Sequence, residues 1–183
     1  MSSNTEINHA TMVRALMKPS SELHDASTPR KWALIHAIVG IAGEIGEVDN
    51  AKDSVHLLEE AGDVLFYCRD YRHILGLPEF VPMLTDVRDG TSLISVVLDH
   101  MKRLCIYNYE MDEKRHQAMH KLIDEIESYV SIALEDCGFT REDALQANIE
   151  KLLTGPNARY KDGVYSDLAA QLRADKNPDE DDV

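Results

Sequence analysis

The chain lacks most of the features that would place it in a disulfide-rich, membrane or nucleic-acid-binding class. Only three of its 183 residues are cysteine. Cys68, Cys105 and Cys137 are odd in number, widely spaced and set in helix-period sequence, which excludes a disulfide framework and predicts reduced core thiols. No stretch approaches the roughly 20 apolar residues of a membrane span, and the opening MSSNTEINHATMVRALMKP has no basic segment followed by an apolar run. A soluble, cytoplasmic protein is expected. Positive charge is scarce: 19 Lys and Arg stand against 33 Asp and Glu, a net charge of −14. That balance argues against a nucleic-acid backbone or an anionic membrane surface as the main partner. Alternating strand patterns are nearly absent, whereas apolar residues recur at helical spacing through most of the chain.

What is present is acid in a particular arrangement. Glu44 and Glu47 in GEIGE, and Glu60 and Asp63 in EEAGD, form two pairs at i, i+3 spacing, which puts each pair on one helix face. Both pairs lie in apolar helical sequence, so the carboxylates are expected to point inward. The twelve residues Val48 to Glu59 suffice to end one helix, turn at about Asp53 to His56 and begin an antiparallel neighbour. Gly43, Gly46 and Gly62 beside the acids allow close backbone approach or leave room for an ion. Packing the two segments together converges four carboxylates, a cluster that repels itself and calls for a cation. Hard oxygens without nearby Cys or metal-spaced His select Mg²⁺, with Mn²⁺ as the alternative, and a carboxylate-held Mg²⁺ commonly completes its shell with water and phosphate oxygens.

The expected organisation is a single all-α domain over residues 1–173, a four-helix bundle with additional N- and C-terminal helices. Helices are predicted over about Thr5–Lys18, Arg30–Asp53 and Val55–Leu75, the last stopped by Gly76 and Pro78. Residues 91–137 read as a second hairpin, Thr91–Tyr109 and Glu113–Asp136, whose spacing echoes the first as a decayed repeat. Aligning His120 with His56 sets Asp124 opposite Glu60 and Glu127 opposite Asp63, but Met101 and Leu104 take the other two acid positions, so this hairpin is assigned packing rather than a second site. A further helix is predicted from Thr140 to about Leu153, then a basic-aromatic loop with Lys151, Arg159, Tyr160 and Lys161 nearby, then a short helix capped near Ser166. Residues 174–183 read as a disordered acidic tail.

The runs GxxGEIGE, EEAGDVLFY and NIEKL…ARYKDGVYS resemble the MazG-like branch of the all-α nucleoside triphosphate pyrophosphohydrolases, over about Trp32–Gly76 and Phe139–Ala170. The middle hairpin is similar to the decayed repeat of longer, often phage-encoded members, whose setting would be the host cytoplasm. The resemblance implies Mg²⁺ held by Glu44, Glu47, Glu60 and Asp63, and cleavage between the α and β phosphates to a monophosphate and pyrophosphate. It makes Asn148, Lys151, Arg159 and Tyr160 nucleotide contacts, and matches Lys52 to a family lysine where the bland alternative is a solvated cation at a helix end. It also implies a homo-oligomer, dimer or tetramer, and leans towards a purine deoxynucleotide such as dGTP in nucleotide-pool control.

The residues read on their own agree. Cations held by the acids would bridge phosphates and orient a water, with Glu44 or Glu47 the candidate proton acceptor and Lys151 and Arg159 opposite the leaving pyrophosphate. Trp32 either packs in the core or stacks on a base; His36, one turn later, either polarises a substrate group or hydrogen-bonds internally. Three rivals are weaker. Glu113 and His116 have di-iron spacing but the motif occurs once, His24-Asp25 sits in a polar linker, with His116 and His120 expected at the surface, and a non-enzymatic acidic adaptor would present its acids on an exposed face.

Overall fold

The computed structural model describes residues 28–83, 87–160 and 164–172. The predicted helix Thr5–Lys18, the linker with His24-Asp25, Lys161 and the acidic tail lie outside these residues. Among them the chain is all-helical, with no strand: α1 Pro29–Asp49, α2 Ser54–Leu75, α3 Gly90–Met101, α4 Glu113–Asp136, α5 Arg141–Ile149 and α6 Asp167–Leu172. No helix among them is long and apolar enough to cross a membrane.

Side-chain caps set most boundaries. Thr28 caps α1 and Pro29 occupies its first turn. α1 ends four residues before the predicted Asp53, because Asp53 instead caps α2, its Oδ1 accepting from the Val55 and His56 N–H groups at 2.9 Å each. Gly76, at φ +66°, closes α2 in the left-handed conformation that glycine adopts without strain. Asp112 caps α4, and Thr140 and Asp143 cap α5 reciprocally. Two helices stop earlier than their apolar period predicts, since α3 and α5 each run into a π-helical turn, Lys102–Ile106 and Glu150–Thr154.

α1 packs against α2 and α3, and α2 packs against α1, α4 and α5. Ile38, Ile41 and Ile45 of α1, Val64, Leu65 and Tyr71 of α2, Leu93 and Val97 of α3, and Ile123, Ile126 and Val130 of α4 form one core. Cys68 and Cys105 are free and buried as expected, but Cys137 is exposed because it sits at the end of α4.

The acids of the second hairpin are engaged in internal ion pairs and hydrogen bonds. Arg72, 4% exposed, donates from Nε to Glu127 Oε1, from Nη2 to Asp124 Oδ1 and from Nη1 to the Pro78 carbonyl, all at 2.7 Å. Arg141 takes the other Glu127 oxygen, also at 2.7 Å. Glu125 accepts both the backbone and the guanidinium of Arg88, while Asp124 and Ser128 accept the N–H groups of Val81 and Met83. The polar run on α4 thus binds the loop after α2 through its otherwise unpaired donors. Its acids are internal counter-charges. His116 and His120 are half-buried here rather than at the surface: His116 Nε2 lies 3.3 Å from the Leu75 carbonyl and His120 Nε2 3.3 Å from Asp124.

Candidate metal and phosphate site

The four-residue connection Asn50–Asp53 turns the end of α1 directly onto the start of α2, so the two acid pairs meet at the closed end of this hairpin. Ile45 and Val48 on α1 and Ala61 and Val64 on α2 are buried between them, which fixes the register of the acids. Oxygens of Glu44, Glu60 and Asp63 lie within 4.8 Å of one another. A second group, Glu47, His56 and Glu60, converges within the same distance, and Glu60 belongs to both. Depth differs from the expectation of four inward carboxylates. Glu60 is 1% exposed and Glu44 and Asp63 are half-buried, but Glu47 is exposed, because none of the described elements covers that side of the last turn of α1.

Crowding is visible in the protonation of Glu44. Burial first, then the charges of Asp63, Glu47 and Glu60, and a hydrogen bond with Glu60, push its carboxyl from an ordinary 4.5 up to about 8. The native state therefore keeps a proton that the unfolded chain releases near 4.5, and stability falls as pH rises from about 5 to 8 and then levels off. Melts of the metal-free protein across this window are expected to show that fall, and Glu44→Gln is expected to flatten it. An identical pH slope in the variant would assign the effect to other groups.

Asp63 is held from α5 and the π-helical turn that follows it. Its Oδ1 accepts from Asn148 Nδ2 at 2.7 Å, and its Oδ2 accepts from Lys151 Nζ at 2.6 Å. Lys151, its side chain 10% exposed, also pairs with Glu59 at 2.7 Å. Burial acts against its charge, but Asp63 and Glu59 outweigh it and raise the ammonium above its ordinary value. Gly62 makes this approach feasible, since a Cβ there would stand 2.8 Å from the Ala144 carbonyl oxygen and 3.1 Å from Asn148 Cβ. Gly43 and Gly46, by contrast, face open space, the room expected beside the acids.

The predicted C-terminal residues are brought to this end of the bundle. Arg159 and Tyr160 donate backbone N–H groups to Lys151 and Leu152 carbonyls, folding the loop back on the π-helical turn. Tyr67 of α2 lies nearby: burial, Glu44 and Asp63 raise its hydroxyl pKa, with Arg159 opposing. Its ring meets His36 edge-on at 5.5 Å and lies over Gly40, where a Cβ would be 2.5 Å from the ring. Trp32, His36, Val39, Gly40, Glu44 and Tyr67 line a cavity of about 430 Å³ that opens beside the acids. Trp32 is 61% exposed and therefore not a core residue. It stands in the first turn of α1 and lines the cavity with Tyr67 of α2. Lys52 is exposed, and its backbone N–H donates to His56 Nδ1 at 3.2 Å.

Set against protein-family models, curated proteins and solved structures, the chain matches none.

Three site residues escaped the sequence reading. His56, with Nε2 3.1 Å from Glu60 Oε1, stands one helical turn before Glu60; Tyr67 stands one turn after Asp63; Glu59 is the neighbour of Glu60 that shares Lys151. The i, i+4 spacing around each paired acid was the available signal. The di-iron pair is not assembled, since Glu113 accepts from Gln117 while His116 faces the end of α2.

Hard oxygens crowded enough to retain a proton, with an ammonium beside Asp63 and an aromatic-lined cavity beside Glu44, can hold a divalent cation.

Proposed function

We propose that this protein is a Mg²⁺-dependent nucleoside triphosphate pyrophosphohydrolase of the MazG-like kind, cleaving between the α and β phosphates. The observation that carries the reading is the convergence of Glu44, Glu60 and Asp63 across the α1–α2 hairpin, with Lys151 on one flank and the Trp32–Tyr67 cavity on the other. The donor set fits Mg²⁺ or Mn²⁺, because it is all carboxylate oxygen and its mutual repulsion is relieved by a dication. When bound, the ion supplies charge neutralisation at phosphate oxygens and a water of lowered pKa.

The residues divide the remaining work. Glu44, Glu60 and Asp63 hold the ion; Glu47, exposed beside them, has the solvent access to accept and release a proton, with Glu44 the other candidate. Trp32, His36 and Tyr67 receive the base, the exposed indole offering a stacking face. Lys151 and Arg159 stand on the side where pyrophosphate leaves. The proposal includes the homo-oligomer, for which the exposed Trp32, Val39 and Phe66 supply apolar surface near the cavity mouth.

Incubation with the eight common ribo- and deoxyribonucleoside triphosphates and Mg²⁺ tests the reading. Monophosphate and pyrophosphate are expected, with the highest kcat/KM for a purine deoxynucleotide such as dGTP. Absence of both products from every substrate, or orthophosphate as the direct product, would remove it. A pyrimidine advantage of about tenfold, roughly 1.4 kcal/mol, would overturn the purine preference alone.

A further inference from the structure

Lys151 is placed where a phosphate-binding lysine is not needed until a cation has arrived. Its ammonium lies 2.6 Å from Asp63 Oδ2, so that oxygen of a cation-holding carboxylate is already occupied by a positive charge. The other oxygen of Asp63 accepts from Asn148, a neutral amide. The two donors differ in consequence. A ligating carboxylate keeps neutral hydrogen-bond partners when it takes a metal, whereas an ammonium at contact distance repels a dication through the same oxygen.

We propose that Lys151 is the resident counter-ion of the acid site: it neutralises Asp63 until a divalent cation takes that carboxylate, and is then released towards the phosphates of the substrate. This rests on the reading of Glu44, Glu60 and Asp63 as the cation site. Three features make the exchange feasible. The lysine hangs on a flexible four-carbon stem from the π-helical turn Glu150–Thr154, a distortion that recurs at functional positions in helices. A cavity of about 340 Å³, bounded by Val55, Leu58, Glu59, Asn148 and Pro156, lies beside the stem and gives it space to swing. Glu59, outside the Glu44–Glu60–Asp63 group, is a second anchor 2.7 Å from Nζ, so leaving Asp63 does not strand the charge.

The alternatives make different marks. A lysine that merely braces α5 against α2 would, when removed, loosen Asp63 and weaken cation binding. A lysine that only contacts phosphate would leave binding of the cation alone unchanged. A resident counter-ion competes with the cation, and its removal strengthens binding.

Calorimetric titration with Mg²⁺ alone, without nucleotide, separates the three. Lys151→Met, which keeps the stem and drops the charge, is expected to bind Mg²⁺ about tenfold more tightly than wild type, while turning over nucleoside triphosphates more slowly. Lys151→Arg, which keeps the charge, is expected to stay within about threefold of wild type. Equal or weaker binding by the folded Met variant would overturn the proposal. A measurement on the wild type stands independently of any variant's folding: the Lys151 side-chain ammonium resonance is expected to shift and lose its protection from exchange on saturation with Mg²⁺, and an unchanged resonance would also overturn it. Failure of the wild type to bind Mg²⁺ would defeat the metal reading and this inference together, whereas failure to hydrolyse nucleotides leaves the titration intact.

Discussion

Glu60→Gln is expected to reduce kcat/KM for nucleoside triphosphates by on the order of 10²–10³-fold while leaving the metal-free fold at least as stable as wild type. Glu60 is the carboxylate common to both converging groups, and at 1% exposure it has no solvent to replace a lost ligand. The amide keeps the shape and removes one negative charge from beneath Glu44 and Asp63. Repulsion therefore falls, and the Glu44 carboxyl loses one of the like charges that hold it near 8, while the amide oxygen can still accept its hydrogen bond. Kinetics and thermal melts on the same preparation give the two halves of the expectation. Activity within about threefold of wild type would mean that the reaction centre lies elsewhere, and a large drop in melting temperature would mean that Glu60 supports the fold instead.

Arg72→Ala is expected to cost about 3–5 kcal/mol, because it leaves Asp124 and one oxygen of Glu127 as buried charges without their principal partner. Set against the 5–15 kcal/mol typical of a domain, that loss is enough to populate the unfolded state under mild conditions. Arg141 still holds the second Glu127 oxygen, so the damage centres on Asp124 and on the loop carbonyl of Pro78 that Arg72 also binds. Urea denaturation monitored by helical signal measures the change, and a loss under about 1 kcal/mol would show that water or His120 replaces the guanidinium.

The arginine-bound acids of α4 and the two acid pairs of the first hairpin show what was legible in the sequence. The start of α5 was readable because Thr140 is a short polar side chain able to satisfy free N–H groups, and the stop at Gly76 was readable from the glycine itself with Pro78 beyond it, whereas Asp53, read as the end of α1, instead caps α2. The i, i+3 spacing of the acids fixed which residues share a face. Depth was not readable, because it depends on what a second element covers: Glu60 lies under the end of α1, whereas Glu47, with equal apolar flanks, is left in solvent. The same limit hid Trp32 at the open start of α1. The π-helical turns have no residue pattern of their own, so the helical period ran through Lys102–Ile106 and Glu150–Thr154 without a break. Glu125 and Ser128 carried no signal of their own in the sequence, and their burial follows from a loop whose backbone needed acceptors.

The contact between Asp63 and Lys151 spans 88 positions of sequence. On a ribosome adding about 5–20 residues per second, roughly 4–18 s separate the synthesis of these two partners. For that interval the nascent chain carries Glu44, Glu60 and Asp63 without their lysine, and the later-made Arg72 partners, Asp124 and Glu127, follow the same order in reverse, base before acid. The protein thus acquires its charges in halves, and the first hairpin meets its lysine only when the π-helical turn Glu150–Thr154 has left the exit tunnel.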